Sequence, residues 1–150
     1  MKSKFIDAYM DVAERFAQLS HAKRLQVGAI IIKDDRIISI GYNGMPTGWD
    51  NCCEHTIQHH ELGTCTTVSK AEVLHAETNA VAKLAKSGES GLGATMFVTH
   101  APCIDCAKLV YQSGIATVYY KNKYRSTQGL EFLDKSGVEV IHHRILEEQP

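Results

Sequence analysis

The sequence predicts an α/β fold with three layers, α/β/α, in which a central five-stranded mixed sheet lies between helices. Two observations predict it. The first part of the chain has a helical apolar period followed by two apolar runs joined by a polar turn, which is typical of a helix and an antiparallel hairpin. The last part alternates strand and helix patterns with short connections, which favours parallel crossovers and helices on both faces of the sheet.

The first helix is predicted over about residues 4–19, because apolar residues recur there at spacings of four and three. These residues are Phe5, Tyr9, Val12, Phe16 and Leu19. Strands are predicted at 27–32 and 36–40, both central or nearly central in the sheet, with polar turn residues between them. The block 41–46, Gly-Tyr-Asn-Gly-Met-Pro, then ends the second strand with residues suited to tight or positive-φ backbone.

Residues 47–68 show no helix or strand period and are rich in cysteine and histidine. A loop of this length is uncommon in a compact domain unless something orders it, and a second, structural zinc would do so. A surface loop with spare thiols is an equal alternative, because no pair here has standard zinc-finger spacing. The candidate ligands are His21, Cys52, Cys53, His55, His59, His60 and Cys65.

The next helix ends near residues 87–88 and begins either at the capping box of residues 69–72 or near His75. We prefer the later start. Residues two apart in mid-helix point to nearly opposite faces, whereas near the first turn His75 and Glu77 can both approach one metal ion. The remaining predictions are strands at 95–99, 117–120 and 138–141, and helices at 103–113 and 127–135.

Chemistry is expected at two short motifs, His-Ala-Glu and Pro-Cys-Ile-Asp-Cys. The imidazole of His75 and the thiolates of Cys103 and Cys106 suit a zinc ion that keeps one position open for water, as catalytic zinc does. Glu77 is interpreted as the proton shuttle, because a fourth protein ligand would close the site. Pro102 is expected at the first position of the following helix, whose N-terminus favours thiolates.

The Cys-x-x-Cys pair has two other interpretations. It could be half of a structural zinc knuckle, which would require another close ligand pair and would leave Glu77 without a role. It could also be a thioredoxin-like redox pair, which would make His75 and Glu77 coincidental. The order of the two motifs favours the catalytic zinc.

Composition restricts the function classes. The 150 residues are 44% hydrophobic and 22% charged, so we expect one domain spanning 1–150. The net charge of −1 argues against a long nucleic acid as partner. No apolar run reaches membrane-spanning length and no signal sequence is evident, so no membrane partner and a cytoplasmic location are expected. An odd count of five cysteines fits a reducing compartment.

The pattern His-x-Glu followed by Pro-Cys-x-x-Cys resembles the signature of zinc nucleobase deaminases. Other stretches resemble the deoxycytidylate deaminase branch of the cytidine deaminase superfamily, and they are residues 26–29, 41–46, 79–80 and 106–108. The resemblance implies a cytidine deaminase-like fold and zinc-dependent hydrolysis of dCMP to dUMP and ammonia, which feeds thymidylate synthesis. The cytosine edge would be read by the Ala76 amide and by backbone at 99–101.

The resemblance also implies binding roles and partners. Asn43 would contact the deoxyribose, and Tyr124 would close over the nucleotide near its phosphate. Many relatives are homohexamers regulated by dCTP and dTTP, with Mg²⁺ accompanying the nucleotide effector. Lys86 occupies the place of an arginine associated with that regulation, and lysine does not replace arginine at a planar contact. Phage relatives with a structural zinc carry paired cysteines where this chain has His21.

A preference for the phosphorylated substrate is expected, because Lys23 and Arg24 together with Tyr124 could surround a phosphate. Two other functions stay open. A deaminase acting on single-stranded nucleic acid would need a basic or aromatic channel, which this near-neutral chain does not advertise. A non-catalytic zinc protein would use its cysteines for folding or partner contacts.

Overall fold

The computed structural model describes residues 1–144, which contain four helices and seven strands. The helices are α1 (Ser3–Ala17), α2 (Ala76–Ala85), α3 (Ile104–Gln112) and α4 (Gln128–Lys135). The strands are β1 (Gly28–Lys33), β2 (Arg36–Tyr42), β3 (Glu54–His59), β4 (Thr64–Ser69), β5 (Thr95–His100), β6 (Thr117–Asn122) and β7 (Glu139–His142). None of the helices in this part of the chain is long and apolar enough to span a membrane.

Five of the strands form one mixed sheet in the order β2-β1-β5-β6-β7. Strand β1 is antiparallel to β2 and β5, whereas β5, β6 and β7 are parallel to one another. The parallel part is connected through α3 and α4, which confirms the predicted alternation of strand and helix. The expectation that both hairpin strands are central was wrong for β2, which forms an edge of the sheet.

Helices cover both faces of the sheet, as predicted. On one face, α1 packs Met10 and Ala13 against Ile30 and Phe97, all fully buried. The other face carries α2, α3 and α4 around a core that includes Ala80, Val110 and Leu133. Full burial of an aliphatic or aromatic side chain contributes about 1.5–3 kcal/mol, so these two apolar layers fix where the helix ends lie.

The sequence suggested an irregular insertion at residues 47–68, but most of this stretch forms a β-hairpin. Strands β3 and β4 pair with each other from Glu54↔Ser69 to His59↔Thr64 and form a sheet of their own. Most side chains of both strands are exposed. Alternation of apolar and polar residues marks a strand only when one face is buried, and because neither face of this hairpin is, its sequence shows no strand period.

The glycine at the start of the 41–46 block is required by close packing and not by an unusual φ. A Cβ atom on Gly41 would lie 2.2 Å from the carbonyl oxygen of Ala76 and 2.6 Å from the amide nitrogen of Ala80. Neither glycine of the block has positive φ. Helix α2 therefore lies directly against the β2 backbone, which sets the height of its first turn over the sheet.

Candidate functional site

The structure brings the three predicted metal ligands together. One donor atom each from His75, Cys103 and Cys106 lies within 4.8 Å of the other two. The Nδ1 atom of His75 is 3.2 Å from the Cys106 sulfur and 3.6 Å from the Cys103 sulfur. One imidazole and two thiols at this separation suit a tetrahedral zinc with one position left for a non-protein ligand.

Two helix N-termini hold the cluster. His75 is the N-cap of α2 and Cys103 is the N-cap of α3, so the late start predicted for α2 is confirmed and the capping box at residues 69–72 is not used. Cys106 lies in the first turn of α3. Pro102 precedes the N-cap, so the expectation that it takes the first helical position was wrong. Both helix dipoles favour negative charge at the cluster.

The loop before α2 is fixed by a short β-bridge. The Gly44 amide donates to the Leu74 carbonyl at 3.1 Å, and the Leu74 amide donates to the Gly44 carbonyl at 2.8 Å. The side chain of Asn79 donates to the Tyr42 carbonyl at 3.1 Å. The end of β2 thus positions the residue that immediately precedes His75.

The loop before α3 is fixed by a glycine in α4. A Cβ atom on Gly129 would lie 2.0 Å from the carbonyl oxygen of Pro102 and 2.9 Å from the carbonyl carbon of Cys103. The α4 backbone therefore packs directly on the peptide that carries the first cysteine. Sequence reasoning missed this contact, because a glycine near a helix start has no distinctive pattern.

We expect Gly129→Ala to destabilise the protein and to weaken zinc binding. Alanine is the better helix former by about 1 kcal/mol, so propensity alone predicts a gain in stability. Overpacking against backbone costs about 1–3 kcal/mol, and because Pro102 cannot rotate away, the cost prevails. Thermal unfolding and zinc titration measure both effects. Gly88→Ala, where nothing lies within 4 Å of the new Cβ, is the matched control.

The two thiols have opposite pKa shifts. Hydrogen bonds that the Cys103 sulfur accepts from Cys106 and from His75 lower the pKa of Cys103 to about 4. The hydrogen bond to Cys103, together with burial, raises the pKa of Cys106. The hydrogen bond to Cys103 also raises the pKa of His75. These shifts favour a thiolate at Cys103 and a protonated thiol at Cys106, and a divalent metal ion would take the place of that proton.

Glu77 lies in the first turn of α2 and is only 4% exposed. Burial raises the pKa of its carboxyl group, which brings proton exchange by this group closer to neutral pH. Glu77 borders the same cleft as His75 and Cys103. A buried acid beside an open metal position can carry a proton between water and a bound ring.

The cleft has a volume of about 750 Å³, and its lining includes His75, Cys103 and four basic residues, here called the basic rim. Its charged rim residues are Arg24, Lys70, Lys123 and Arg125. Glu77 is the single acidic residue among the lining residues that the structure describes. Lys23 and Arg24 were both predicted near a phosphate. Arg24 lines this cleft, whereas Lys23 borders a different cavity. Although Lys123 and Arg125 flank the predicted Tyr124 in sequence, they were missed.

The predicted substrate residues all border this cleft. Tyr124 lines it, and the guanidinium carbon of Arg125 lies 5.5 Å from the centre of the Tyr124 ring. Ala76 lines it at the N-terminus of α2. Asn43 also lines it, but its Nδ2 donates to the Leu25 carbonyl at 2.7 Å and its Oδ1 accepts from the Val27 amide at 2.8 Å. Its amide therefore also holds the backbone before β1.

One further lining residue was not predicted. His100 ends β5 and borders the cleft beside Ala101. Burial lowers the pKa of its imidazole and so favours the neutral ring. The Thr99 hydroxyl lies 3.1 Å from the His100 Nδ1 atom and orients the ring.

The cysteines and histidines of the hairpin region do not form a second cluster. Among residues 1–144, His75, Cys103 and Cys106 are the one group of three or more potential ligands close enough to share an ion. His21, Cys52 and Cys53 border a smaller cavity of about 310 Å³. The other candidates, His55, His59, His60 and Cys65, are distributed along the β3–β4 hairpin and its turn.

The chain matches known proteins over nearly its whole described length. Residues 3–122 match the family described as "Cytidine and deoxycytidylate deaminase zinc-binding region". ComE operon protein 2 of Bacillus subtilis (strain 168) is 38% identical over 136 residues, which cover 88% of this chain and 67% of that protein. Deoxycytidylate deaminase of Enterobacteria phage T4 is 33% identical over an alignment of 168 positions, gaps included, which spans 89% of this chain and 86% of that protein.

A solved structure is also similar. It is the crystal structure of dCMP deaminase from the cyanophage S-TIM5 in complex with dCMP and dUMP, which shares 44% sequence identity with this chain at a TM-score of 0.84. The superposition covers 95% of this chain and 99% of that chain. The five-stranded mixed sheet and the helices that pack on it are therefore shared with that protein.

Proposed function

We propose, since this chain belongs to the family of cytidine and deoxycytidylate deaminases, that it catalyses hydrolytic deamination of dCMP to dUMP and ammonia, supplying dUMP for thymidylate synthesis. One observation carries the proposal. A single cleft is lined by two of the three clustered metal ligands, by a buried glutamate and by four basic side chains. The relative solved with dCMP and dUMP supports the choice of substrate.

His75, Cys103 and Cys106 would hold the zinc, and the chemistry of this donor set fits the ion. When bound, zinc lowers the pKa of a water molecule from ~15.7 towards ~7 and so supplies a nucleophile at working pH. The protein contributes the geometry. Both helix N-termini and the packing of Gly41 and Gly129 keep the three donors in place without a fourth protein ligand.

Glu77 moves the protons. It accepts a proton from the attacking water and delivers it to N3 of the cytosine ring as the C4–O bond forms. It then takes the remaining proton of that water from the oxygen on C4 and transfers it to the exocyclic nitrogen, as the C4–N bond breaks and ammonia leaves. Burial removes competing water from its carboxylate, so the one group can act as base and then as acid.

The remaining lining residues orient the nucleotide. In this proposal backbone groups at Ala76 and Ala101 contact the base and Asn43 contacts the sugar, and all three residues line the cleft. We assign Tyr124 to cover the nucleotide near its phosphate, since its sequence neighbours Lys123 and Arg125 line the same cleft. A monophosphate carries up to two negative charges, and the four basic side chains of the cleft neutralise them in a chain whose net charge is only −1.

We expect dCMP to be preferred over deoxycytidine by at least about tenfold in kcat/KM. Losing one charge-assisted phosphate contact costs on the order of 1.5–3 kcal/mol, and each 1.4 kcal/mol is a factor of ten. Steady-state assays of ammonia release with both substrates measure the ratio. Equal values would remove the phosphate site from the proposal. Single-stranded DNA in the same assays tests the two other functions. A deaminase acting on single-stranded nucleic acid would release ammonia from the DNA, whereas a non-catalytic zinc protein would release ammonia from none of the substrates.

Further properties follow from family membership alone, and we propose them on that basis. They are a homohexameric assembly, regulation by dCTP and dTTP with Mg²⁺ accompanying the nucleotide, and a second, structural zinc. The candidate ligands that border one common cavity are His21, Cys52 and Cys53. We also propose that residues 1–150 act as one catalytic domain.

A further inference from the structure

The segment that carries Arg24 to the cleft has no regular secondary structure. This segment, residues 20–27, connects α1 to β1 and is here called the strap. An arginine on such a segment would normally sample many orientations, and ordering it on binding would reduce affinity. The strap is instead held by side chains from elsewhere in the chain. Asn43 fixes its C-terminal end through Leu25 and Val27.

Glu54 fixes the middle of the strap from a distant element. Its Oε1 atom accepts from the Lys23 amide at 2.7 Å and from the Arg24 amide at 3.3 Å. Glu54 is the first residue of β3 and is half-buried. Two successive backbone amides that point at one oxygen determine the direction of the peptide between them, and with it the direction in which the Arg24 side chain leaves the backbone.

The cross-strand partner of Glu54 contacts the other end of the same arginine. Ser69 is paired with Glu54 in the hairpin register. Its hydroxyl oxygen lies 3.5 Å from Nη1 of Arg24. One residue pair at the base of the β3–β4 hairpin therefore contacts both the main chain and the guanidinium of Arg24. Arg24 and Ser69 border the cleft, whereas Glu54 does not.

We infer that Glu54 is a positioning residue for recognition of the substrate phosphate, because it holds the Lys23–Arg24 peptide so that Arg24 faces the cleft. The inference rests on the proposed function. By charge alone, a carboxylate near a phosphate subsite would weaken binding of the anion. Its benefit therefore comes from the two hydrogen bonds that it accepts, and the two contributions can be separated by substitution.

Variants of Glu54 separate geometry from charge. Glu54→Gln keeps one carbonyl oxygen able to accept from both amides and removes the charge. Glu54→Asp keeps the charge but withdraws the oxygen by one methylene. Glu54→Ala removes both. If Glu54 acts by position, the KM of Glu54→Gln for dCMP matches that of the parent protein, whereas Glu54→Asp and Glu54→Ala both have a higher KM for dCMP. If Ala does not fold, Asp decides the question.

The experiment is steady-state kinetics of the zinc-loaded full chain with dCMP and with deoxycytidine. Glu54→Ala and Glu54→Asp should raise KM for dCMP about three- to tenfold, with kcat within about twofold and kcat/KM for deoxycytidine unchanged. In an Arg24→Met background, Glu54→Ala should cause no further loss, because the residue that it positions is gone. Glu61→Ala, an exposed glutamate at the turn of the same hairpin, is the matched control.

Three results would overturn the inference. The first is an equal loss for both substrates, which would mean that Glu54 only stabilises the fold. The second is an additive loss in the Arg24→Met background. The third is a defect of Glu54→Gln as large as that of Glu54→Asp. If the parent protein does not deaminate dCMP, the proposed function fails together with this inference, whereas a parent that prefers dCMP with any of the three results refutes the inference alone.

Discussion

Glu77→Gln should leave the protein folded and loaded with zinc while turnover of dCMP falls by about 10⁴-fold. Removal of a general acid or base costs ~10²–10⁴ in rate, and here one carboxylate serves more than one proton transfer, so the upper end is expected. Glutamine has the same shape as glutamate and leaves His75, Cys103 and Cys106 in place. The measurements are kcat with dCMP, zinc content and the melting temperature.

The matched control for this variant is Glu61→Gln, which changes an exposed glutamate at the turn of the hairpin that does not line the cleft. It should leave all three measurements unchanged. If Glu77→Gln lost the metal as well, Glu77 would be a ligand and the site would be closed. Such a site has no position for water, so that result would replace the enzyme with a structural zinc protein.

Cys103→Ala should lose zinc, activity and stability together. Removal of the ligand leaves the Cys106 thiol and the His75 imidazole facing each other without an ion. Zinc present at a thousand times its dissociation constant stabilises a fold by ~4.1 kcal/mol. Loss of this stabilisation lowers the melting temperature on the order of 10 °C for a chain of this size. Metal analysis, ammonia release and thermal unfolding measure the three losses.

Cys65→Ala is the control, because Cys65 is an exposed cysteine on the hairpin. It should keep the zinc at the site and full turnover. A Cys103→Ala protein that retained one equivalent of zinc at the site and the melting temperature of the parent would contradict the proposed ligand set. Addition of a chelator to the parent protein should reproduce the stability loss of the variant, since both remove the same ion.

The position of the catalytic helix could be predicted from chemistry where local propensity pointed elsewhere. The capping box at residues 69–72 has the sequence pattern of a helix start, but Ser69 instead ends β4. The requirement that His75 and Glu77 approach one ion placed the start correctly at residues 75–76. A metal motif constrains backbone geometry over several residues, and here that constraint was more informative than the cap.

Contacts between distant backbones could not be predicted. Gly41 and Gly129 each allow a helix to lie against another backbone, and the distance that demands glycine exists only in the folded chain. Only part of the basic rim of the cleft was predicted, because its residues also come together only in the folded chain. Lys70 follows the β3–β4 hairpin, which the sequence did not reveal, so nothing placed this lysine beside Arg24.

The placement of β1 between β2 and β5 also affects how the site is assembled during folding. Ala29 pairs with Val98, about 70 residues away along the chain, and closing a flexible loop of that length costs on the order of 4 kcal/mol of chain entropy. Such non-local pairing slows folding. Helix α2 lies inside this loop and α3 follows β5, so closing the loop also restricts the segment that carries His75 to the cysteines. Formation of the central sheet therefore lowers the entropy cost of assembling the metal site.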